Sequence, residues 1–195
     1  MRNIFDSHAH YDDSQFDGDR EELLGQVLPE KGVSGVINMA ADLASCQTTW
    51  VFGLQLELAK ELSLPVVVHD REAHADTLAF LQRYRPAGVV HCFSGSWETA
   101  REILDLGMYI GLGGVVTFKN ARHPVEVAKN IPLDRLLLET DCPYMAPVPF
   151  RGKRNDSSLI AYVAERIGEV RGQPAEEILQ AAEANARRLF AIDPN

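Results

Sequence analysis

Short apolar runs recur along this chain, and most of them are continuously apolar instead of alternating with polar residues. Continuous apolar runs are typical of strands that are buried on both faces, as in a parallel sheet covered by helices. The pattern predicts strands at Asn3–Ser7, Gly35–Ala40, Pro65–His69, Gly88–Cys92, Met108–Leu112 and Arg135–Thr140.

Stretches with a helical spacing of apolar residues lie between and after these strands. One of them, Trp97–Leu106, has Ser96 in a position suited to an N-cap and is followed by Gly107, which favours a helix end. The other predicted helices are Val51–Leu62, Ala73–Tyr84, Ser157–Val170 and Pro174–Phe190. Because strands alternate with helices throughout, the predicted class is α/β with a parallel sheet.

Histidines and an aspartate are concentrated where the predicted strands end. These candidate site residues are His8, His10, His69, His91 and Asp141. In a (β/α)8 barrel the carboxyl ends of the strands form the active-site face, whereas an open doubly wound sheet would spread the same residues along a crevice. The first strand leads into His-Ala-His and not into a glycine-rich phosphate loop. The barrel is therefore the favoured architecture.

These five side chains are candidate metal ligands. His8 and His10 alternate on an extended backbone, so both imidazoles can face the same side. Taken singly, each of the other histidines could be a core residue, and Asp141 could be a helix N-cap. Their coincidence at four strand ends favours one divalent ion, or two if a bridging carboxylate is present. Metal chemistry of this kind predicts hydrolysis, with Asp141 orienting the water and taking its proton.

Composition narrows the class of protein. The 195 residues predict one domain over 1–195, and the net charge of −9 argues against tight nonspecific binding of nucleic acid. Bound divalent cations would add positive charge within the site itself, so the negative net charge does not exclude nuclease activity. The three cysteines are widely spaced, and neither a secretion signal nor a long apolar segment occurs, so we expect a cytoplasmic protein without a membrane span. No obligate protein partner is inferred.

Basic residues near the strand ends are candidate phosphate contacts. The stretch PVPFRGKRN places Arg151, Lys153 and Arg154 shortly after the sixth strand, where they could grip phosphates or form a solvated basic loop. Arg71 and Lys119 are further candidates for contact with substrate phosphates, although Arg71 could instead pair with Asp70 or Glu72. The aromatic residues that could stack on unpaired bases, or serve only in packing, are Phe118 and Tyr144.

Five stretches carry these candidates in a characteristic order: FDSHAHYDD, LPVVVHDREAHADTL, GVVHCFSGSWETAREILDLGMYIGLGGVVTFKNA, IPLDRLLLETDCPYMAPVPFRGKRN and NARRLF. Together they resemble the TatD family of metal-dependent hydrolases, within the amidohydrolase-like barrels. The resemblance implies a distorted TIM barrel with one or two divalent ions, such as Mg²⁺, Mn²⁺ or Zn²⁺. It implies 3′→5′ exonuclease activity on single-stranded DNA, with other esters as substrates in some members.

The same resemblance implies a role for each candidate ligand. His8 and His10 would be the paired metal ligands of the first strand, and Asp141 would bind both metal and water. His69 and His91 would be the ligands of a second metal position.

One part of the family pattern is missing from the sequence. Members carry a Gly-Val-His-Pro segment and then a Glu-Ile-Gly-Leu-Asp-Tyr-like segment, whose glutamate bridges two metals. Here NMAADLASCQTTWVFGLQLELAKEL contains neither. A closed barrel needs eight strands, so we expect roughly two β/α units to be missing between Cys46 and Val51.

Three functions therefore stay open at this point. The first is a metal-dependent deoxyribonuclease. The second is a hydrolase of the same fold that acts on a carbon ester, a lactone or an aminoacyl-tRNA ester. The third is an inactive metal-binding remnant, if the deletion is real.

Overall fold

The computed structural model describes residues 1–38, 49–70 and 73–192, and the strands within these ranges are parallel. Numbered in chain order, they are β1 (Ile4–Ala9), β2 (Val33–Asn38), β3 (Val66–His69), β4 (Gly88–His91), β5 (Tyr109–Leu112) and β6 (Leu136–Leu138). Each lies at a predicted strand, with ends shifted by a few residues. The predicted α/β class with a parallel sheet is confirmed.

Helices connect these strands and cover the sheet. They are α1 (Arg20–Glu22), α2 (Leu28–Glu30), α3 (Thr49–Glu61), α4 (His74–Tyr84), α5 (Trp97–Asp105), α6 (Arg122–Asn130), α7 (Ile160–Arg171) and α8 (Ala175–Phe190). A π-helical turn joins α1 to α2, and short 3-10 turns lie at Ser14–Phe16, Gly114–Thr117, Leu133–Arg135 and Ser157–Leu159. None of the helices described here has the length and apolarity needed to cross a membrane.

The end signals of α5 act as the sequence predicts. The Ser96 hydroxyl accepts a hydrogen bond from the Thr99 N–H at 3.3 Å, so one of the free donors of the first turn is satisfied. Gly107, two residues after the helix, has a φ of +84°, a left-handed conformation that glycine adopts without a Cβ clash. The chain then enters β5 directly.

Backbone hydrogen bonds arrange the strands in an arc. One sheet contains β1 and β2, and the other has the order β3-β4-β5-β6. The two meet where β1 reaches the segment after β6, because Ala9 pairs with Cys142 in parallel and the His8 carbonyl accepts the Asp141 N–H at 2.9 Å. The strand order across both sheets is therefore β2-β1-β6-β5-β4-β3.

The two ends of the arc are less buried than its middle. Strands β4, β5 and β6 are buried along their whole length, whereas β2 and β3 are half-buried or exposed at most positions. Within the described ranges, β2 and β3 each have one hydrogen-bonded neighbour. The described strands thus do not close a barrel. The segment between Cys46 and Val51 lies largely outside the described residues, so the missing β/α units stay a prediction.

Packing under the middle of the arc holds the strand ends in place. The main core cluster joins β4, β5 and β6 to α5, α6, α7 and α8 through buried side chains such as Val90, Ile110 and Leu136. Asn185 of α8 donates hydrogen bonds to the carbonyls of Leu133 and Leu136, both at 2.8 Å. These hydrogen bonds attach the start of β6 to α8.

Candidate metal centre

The five predicted ligands lie together at the carboxyl end of the arc. Nε2 of His8 lies 3.1 Å from Nε2 of His10, and Nδ1 of His69 lies 2.7 Å from Nε2 of His91. The rings of His8 and His91 are stacked with centroids 3.7 Å apart, which links the two pairs. Oδ1 of Asp141 lies 3.5 Å from Nε2 of His8 and 3.4 Å from Nε2 of His10.

Strand register brings these residues together. His69 and His91 are direct partners in the parallel ladder of β3 and β4, so their side chains leave the sheet on the same side. The end of β1 is joined to the segment after β6 by the His10 N–H, which donates to the Cys142 carbonyl at 2.8 Å. Asp141 is therefore held beside both histidines of β1.

The backbone turns sharply at two of these strand ends. Asp141 has a φ of +58°, and Cys92, directly after His91, has a φ of +47°. Left-handed conformations are uncommon outside glycine and are concentrated at functional sites. Aspartate tolerates this region better than most residues. The turn at Asp141 aims its carboxylate back at the histidines instead of along the strand.

The donor set fits a divalent ion. Burial, reinforced by the charges of neighbouring histidines, lowers the pKa of His8 to about 2, so this imidazole is neutral, as a metal ligand must be. The ring nitrogens of His8 and His10 lie close together, as do those of His69 and His91. Each of these contacts needs a proton or a cation between the two lone pairs. His8, His91 and Asp141 each offer a ligand atom, and these atoms lie within 4.8 Å of one another.

A buried carboxylate that the sequence pattern missed ties the two strand ends together. Asp6 is fully buried, and its Oδ1 accepts the N–H groups of His8 and Thr140, both at 3.1 Å. Its Oδ2 accepts the hydroxyls of Thr140 at 2.5 Å and Ser157 at 2.6 Å. Burial raises the pKa of Asp6 to about 7, although these hydrogen bonds oppose the shift. Asp6 thus links β1, the segment after β6 and the 3-10 turn that precedes α7.

A second missed carboxylate lies behind His91. Glu139 is 1% exposed, and its Oε1 accepts the Cys92 N–H at 2.5 Å and lies 3.6 Å from Nδ1 of His91. Burial lowers the pKa of His91, but the facing Glu139 carboxylate raises it more, so the net shift is upward. A charged residue next to the apolar run LLL is a sequence signal for a buried carboxylate, but it does not show which partner that carboxylate faces.

Three of the candidate substrate contacts, Arg151, Phe118 and Tyr144, lie together at one cleft. Arg151 lies with its guanidinium carbon 4.3 Å from the ring centroid of Phe118. Together with Tyr144, both residues line a cleft of about 420 Å³, whose lining includes Pro143, two residues after Asp141 in the chain. Arginine on an aromatic face beside a polar cleft is suited to contact with a base and its phosphate.

The other basic candidates are less suitable. Arg154 forms two hydrogen bonds to the carboxylate of Asp19, at 2.8 and 2.5 Å, so its guanidinium is already occupied by an acidic group. Lys119 is exposed next to Phe118. Arg71 lies outside the described residues. Lys153 and Arg154 line the same cleft as Arg151. Arg151 differs from them because its guanidinium lies over the Phe118 ring inside the cleft.

This protein has parallel strands that carry histidines and an aspartate at their carboxyl ends. It therefore belongs to a class of α/β proteins whose strand ends are suited to hold a divalent ion. The family model described as TatD-related DNase matches residues 44–191. The chain belongs to this family, and the resemblance predicted from the sequence motifs is confirmed.

Individual relatives are consistent with this assignment. The chain is 49% identical over 146 residues to an uncharacterized metal-dependent hydrolase, YabD of Bacillus subtilis; the match covers 73% of this chain and 57% of the relative. It is 32% identical over 198 aligned residues to the 3′-5′ ssDNA/RNA exonuclease TatD of Pantoea ananatis, covering 95% of this chain and 76% of that protein. The chain thus spans little more than half the length of the Bacillus relative.

A solved structure supports the same fold. YjjV, a TatD homologue from Escherichia coli K12, matches with a TM-score of 0.79 and 28% identity. The match covers 98% of this chain and 99% of the YjjV chain. The arc of parallel strands is therefore similar to the sheet of a TatD-type structure from one end of the chain to the other.

Proposed function

We propose that this chain is a metal-dependent hydrolase that cleaves phosphodiester bonds of single-stranded DNA, working from the 3′ end. The observation that carries the proposal is the cluster of four imidazoles and the Asp141 carboxylate, together with a cleft that is lined by Arg151, Phe118 and the residues Pro143 and Tyr144 that follow Asp141 in the chain. The Pantoea relative, named as a 3′-5′ ssDNA/RNA exonuclease, supports this substrate class.

The chain's own residues suit a hydrolytic mechanism. His8, His10, His69 and His91 would hold one or two divalent ions with Asp141, and the ion could be Mg²⁺, Mn²⁺ or Zn²⁺. When bound, such an ion would lower the pKa of a coordinated water molecule, to roughly 7 in a Zn²⁺ site, and would so favour hydroxide as the nucleophile. The Asp141 carboxylate is partly exposed and directed at the histidines, so it is placed to orient a water molecule and to accept its proton.

The cleft suits a strand with unpaired bases. Tyr144 is 54% exposed, and its hydroxyl donates to Asp13 at 2.9 Å, which holds the ring at the mouth of the cleft. A base can stack on an exposed aromatic face only where it is unpaired, and each such contact contributes about 1–3 kcal/mol. Arg151 would then bind the adjacent phosphate through two N–H groups.

A cleavage assay tests the proposed function. Wild-type protein with Mn²⁺ or Mg²⁺ is expected to release label from 3′-end-labelled single-stranded DNA, to stop when the metal is chelated, and to recover when metal is restored. His8→Ala should be inactive because a ligand is lost. His123→Gln, at an exposed position of α6, is the matched histidine control and should keep full activity. Equal release by wild type and His8→Ala would contradict the proposal.

Replacing Arg151 by alanine is expected to raise the KM for single-stranded DNA about tenfold, since one charge-assisted contact of roughly 1.4 kcal/mol is lost. The kcat should change little, because Arg151 lies in the cleft and not among the candidate ligands. Steady-state kinetics on a fluorescent oligonucleotide measure both constants. Arg166→Ala, at an exposed pair with Glu169 on α7, is the control. An unchanged KM in Arg151→Ala would remove this residue from the substrate site.

A second candidate function is hydrolysis of a carbon ester, a lactone or an aminoacyl-tRNA ester at the same site. The net charge of −9 favours it, because a protein this acidic repels a long polyanion. A panel of small esters and lactones, assayed with Mn²⁺ beside the oligonucleotide, separates the two. Faster turnover of any ester than of DNA would make esters the substrate class.

The third candidate is an inactive remnant of a distorted TIM barrel that lacks about two β/α units between Cys46 and Val51. It is supported by the half-exposed outer strands β2 and β3. The mass of the protein purified from its native source decides between these cases. A mass near 21.6 kDa supports the shortened barrel. A mass several kilodaltons higher shows that the native protein has additional residues.

A further inference from the structure

Glu139, a carboxylate outside the set of candidate ligands, lies directly behind His91. It is 1% exposed, and its Oε1 lies 3.6 Å from Nδ1 of His91. The same Oε1 accepts the Cys92 N–H at 2.5 Å, so the carboxylate is held against the backbone that carries the imidazole. A buried carboxylate is costly unless it is paired, and the ionisable side chain that it faces is His91.

Strand β5 has the space that this carboxylate needs. A Cβ atom at Gly111 would lie 2.4 Å from Oε2 of Glu139 and 3.2 Å from the Cα of His91. A side chain at this position would therefore push against both residues at once. Gly111 thus allows the close approach of Glu139 and His91.

The two nitrogens of His91 face different groups. Nε2 lies 2.7 Å from Nδ1 of His69, inside the ligand cluster. Nδ1 faces Glu139, and both this nitrogen and Oε2 of Glu139 are buried without a hydrogen-bond partner among the described residues. The ring therefore has one nitrogen toward the candidate ion and the other toward a carboxylate. A shift of a few tenths of an ångström would bring Nδ1 and Oε1 into hydrogen-bond distance.

We propose that Glu139 is a positioning residue for His91, an inference that rests on the metal site of the proposed function. Its carboxylate accepts a hydrogen bond from Nδ1–H and holds the imidazole in the Nδ1–H tautomer, which leaves the lone pair of Nε2 for the divalent ion. Metal-bound histidines generally donate their second N–H to a carboxylate, carbonyl or water, and loss of that partner weakens metal binding about 10–100-fold.

The tautomer is measured first, in metal-free protein labelled with ¹⁵N-histidine. Long-range ¹H–¹⁵N spectra above pH 8 should show His91 of the wild type protonated at Nδ1, with His91→Gln used to assign the signal. In Glu139→Met, which has no acceptor, the population should shift toward Nε2–H. A wild-type His91 protonated at Nε2 alone would overturn the proposal, whether or not the variant folds.

Zn²⁺ affinity, measured by titration against a competing chelator, is the second readout. Glu139→Met is expected to bind Zn²⁺ about 10–100-fold more weakly than wild type. Glu139→Gln keeps an amide oxygen that can accept from both Cys92 and His91, so its affinity should stay within about threefold of wild type. Glu165→Met, at an exposed position of α7, is the control for a glutamate-to-methionine change.

The outcomes separate this inference from the proposed function. Equal Zn²⁺ affinity of wild type and Glu139→Met would overturn the role of Glu139 and leave the nuclease proposal standing. No Zn²⁺ binding by wild type would overturn the metal site and the inference together. Zn²⁺ binding that depends on Glu139 supports the inference even if DNA is not cleaved.

Discussion

Asp141→Asn is expected to reduce cleavage of single-stranded DNA by about 10²–10⁴-fold, because an amide cannot take the proton of the attacking water. The backbone should be unaffected, since asparagine tolerates the left-handed conformation that Asp141 adopts with a φ of +58°. The asparagine also keeps one oxygen beside His8 and His10, so the loss reports on the carboxylate. Single-turnover cleavage with saturating Mn²⁺ measures the effect on the chemical step.

Two comparisons make this prediction specific. His123→Gln changes an exposed helical position and should retain wild-type cleavage. The midpoint of thermal unfolding of Asp141→Asn should lie within a few degrees of wild type, which would exclude misfolding as the cause. Cleavage by Asp141→Asn at more than a tenth of the wild-type rate would show that another group accepts the proton.

The strands and the candidate ligands were predictable because each has a local signal. Continuously apolar runs identify buried strands, and a polar residue where such a run stops marks the end of the sheet. His69 and His91 illustrate this, because each ends its strand and the parallel register then places them side by side. The sequence therefore predicts which side chains approach one another, but it does not predict the distances between them.

The carboxylates that support the ligands could not be found in the same way. Asp6 and Glu139 lie inside apolar segments, and their partners are far away in the sequence, as with the Ser157 hydroxyl that donates to Asp6. A pattern along the chain does not show which distant donor meets a buried acceptor. The strand β6 ends at Leu138, before its predicted end, because the Thr140 N–H donates to the Asp6 carboxylate of β1 and not to β5.

Some helices were missed because their signals are weak or interrupted. α6 has the sequence RHPVEVAKN, in which only Val125 and Val127 are large apolar residues and a proline lies in the first turn. Proline is tolerated there because the first turn has no intrahelical N–H bonds to lose. Burial of Val127 and Ala128 against the core stabilises this helix, and that contact depends on the folded structure.

The second large effect concerns stability. Asp6→Ala is expected to lower the free energy of unfolding of the metal-free protein by about 3–5 kcal/mol, because it leaves two buried N–H groups and two hydroxyls without their acceptor. The groups affected belong to His8, Thr140 and Ser157, so the ends of β1 and β6 lose their common anchor. Urea unfolding followed by circular dichroism measures the change.

Asp6→Asn tests the cause, since it removes the charge and keeps the shape. Its amide oxygen can accept the two N–H groups that bind Oδ1, and its NH₂ group can donate to the Thr140 and Ser157 hydroxyls, which rotate to accept. The loss should therefore be about 1–2 kcal/mol, clearly smaller than for alanine. Asp134→Ala, at an exposed position, should change stability by less than about 0.5 kcal/mol. If alanine and asparagine destabilise equally, the hydrogen bonds that asparagine keeps are not what holds the two strand ends together.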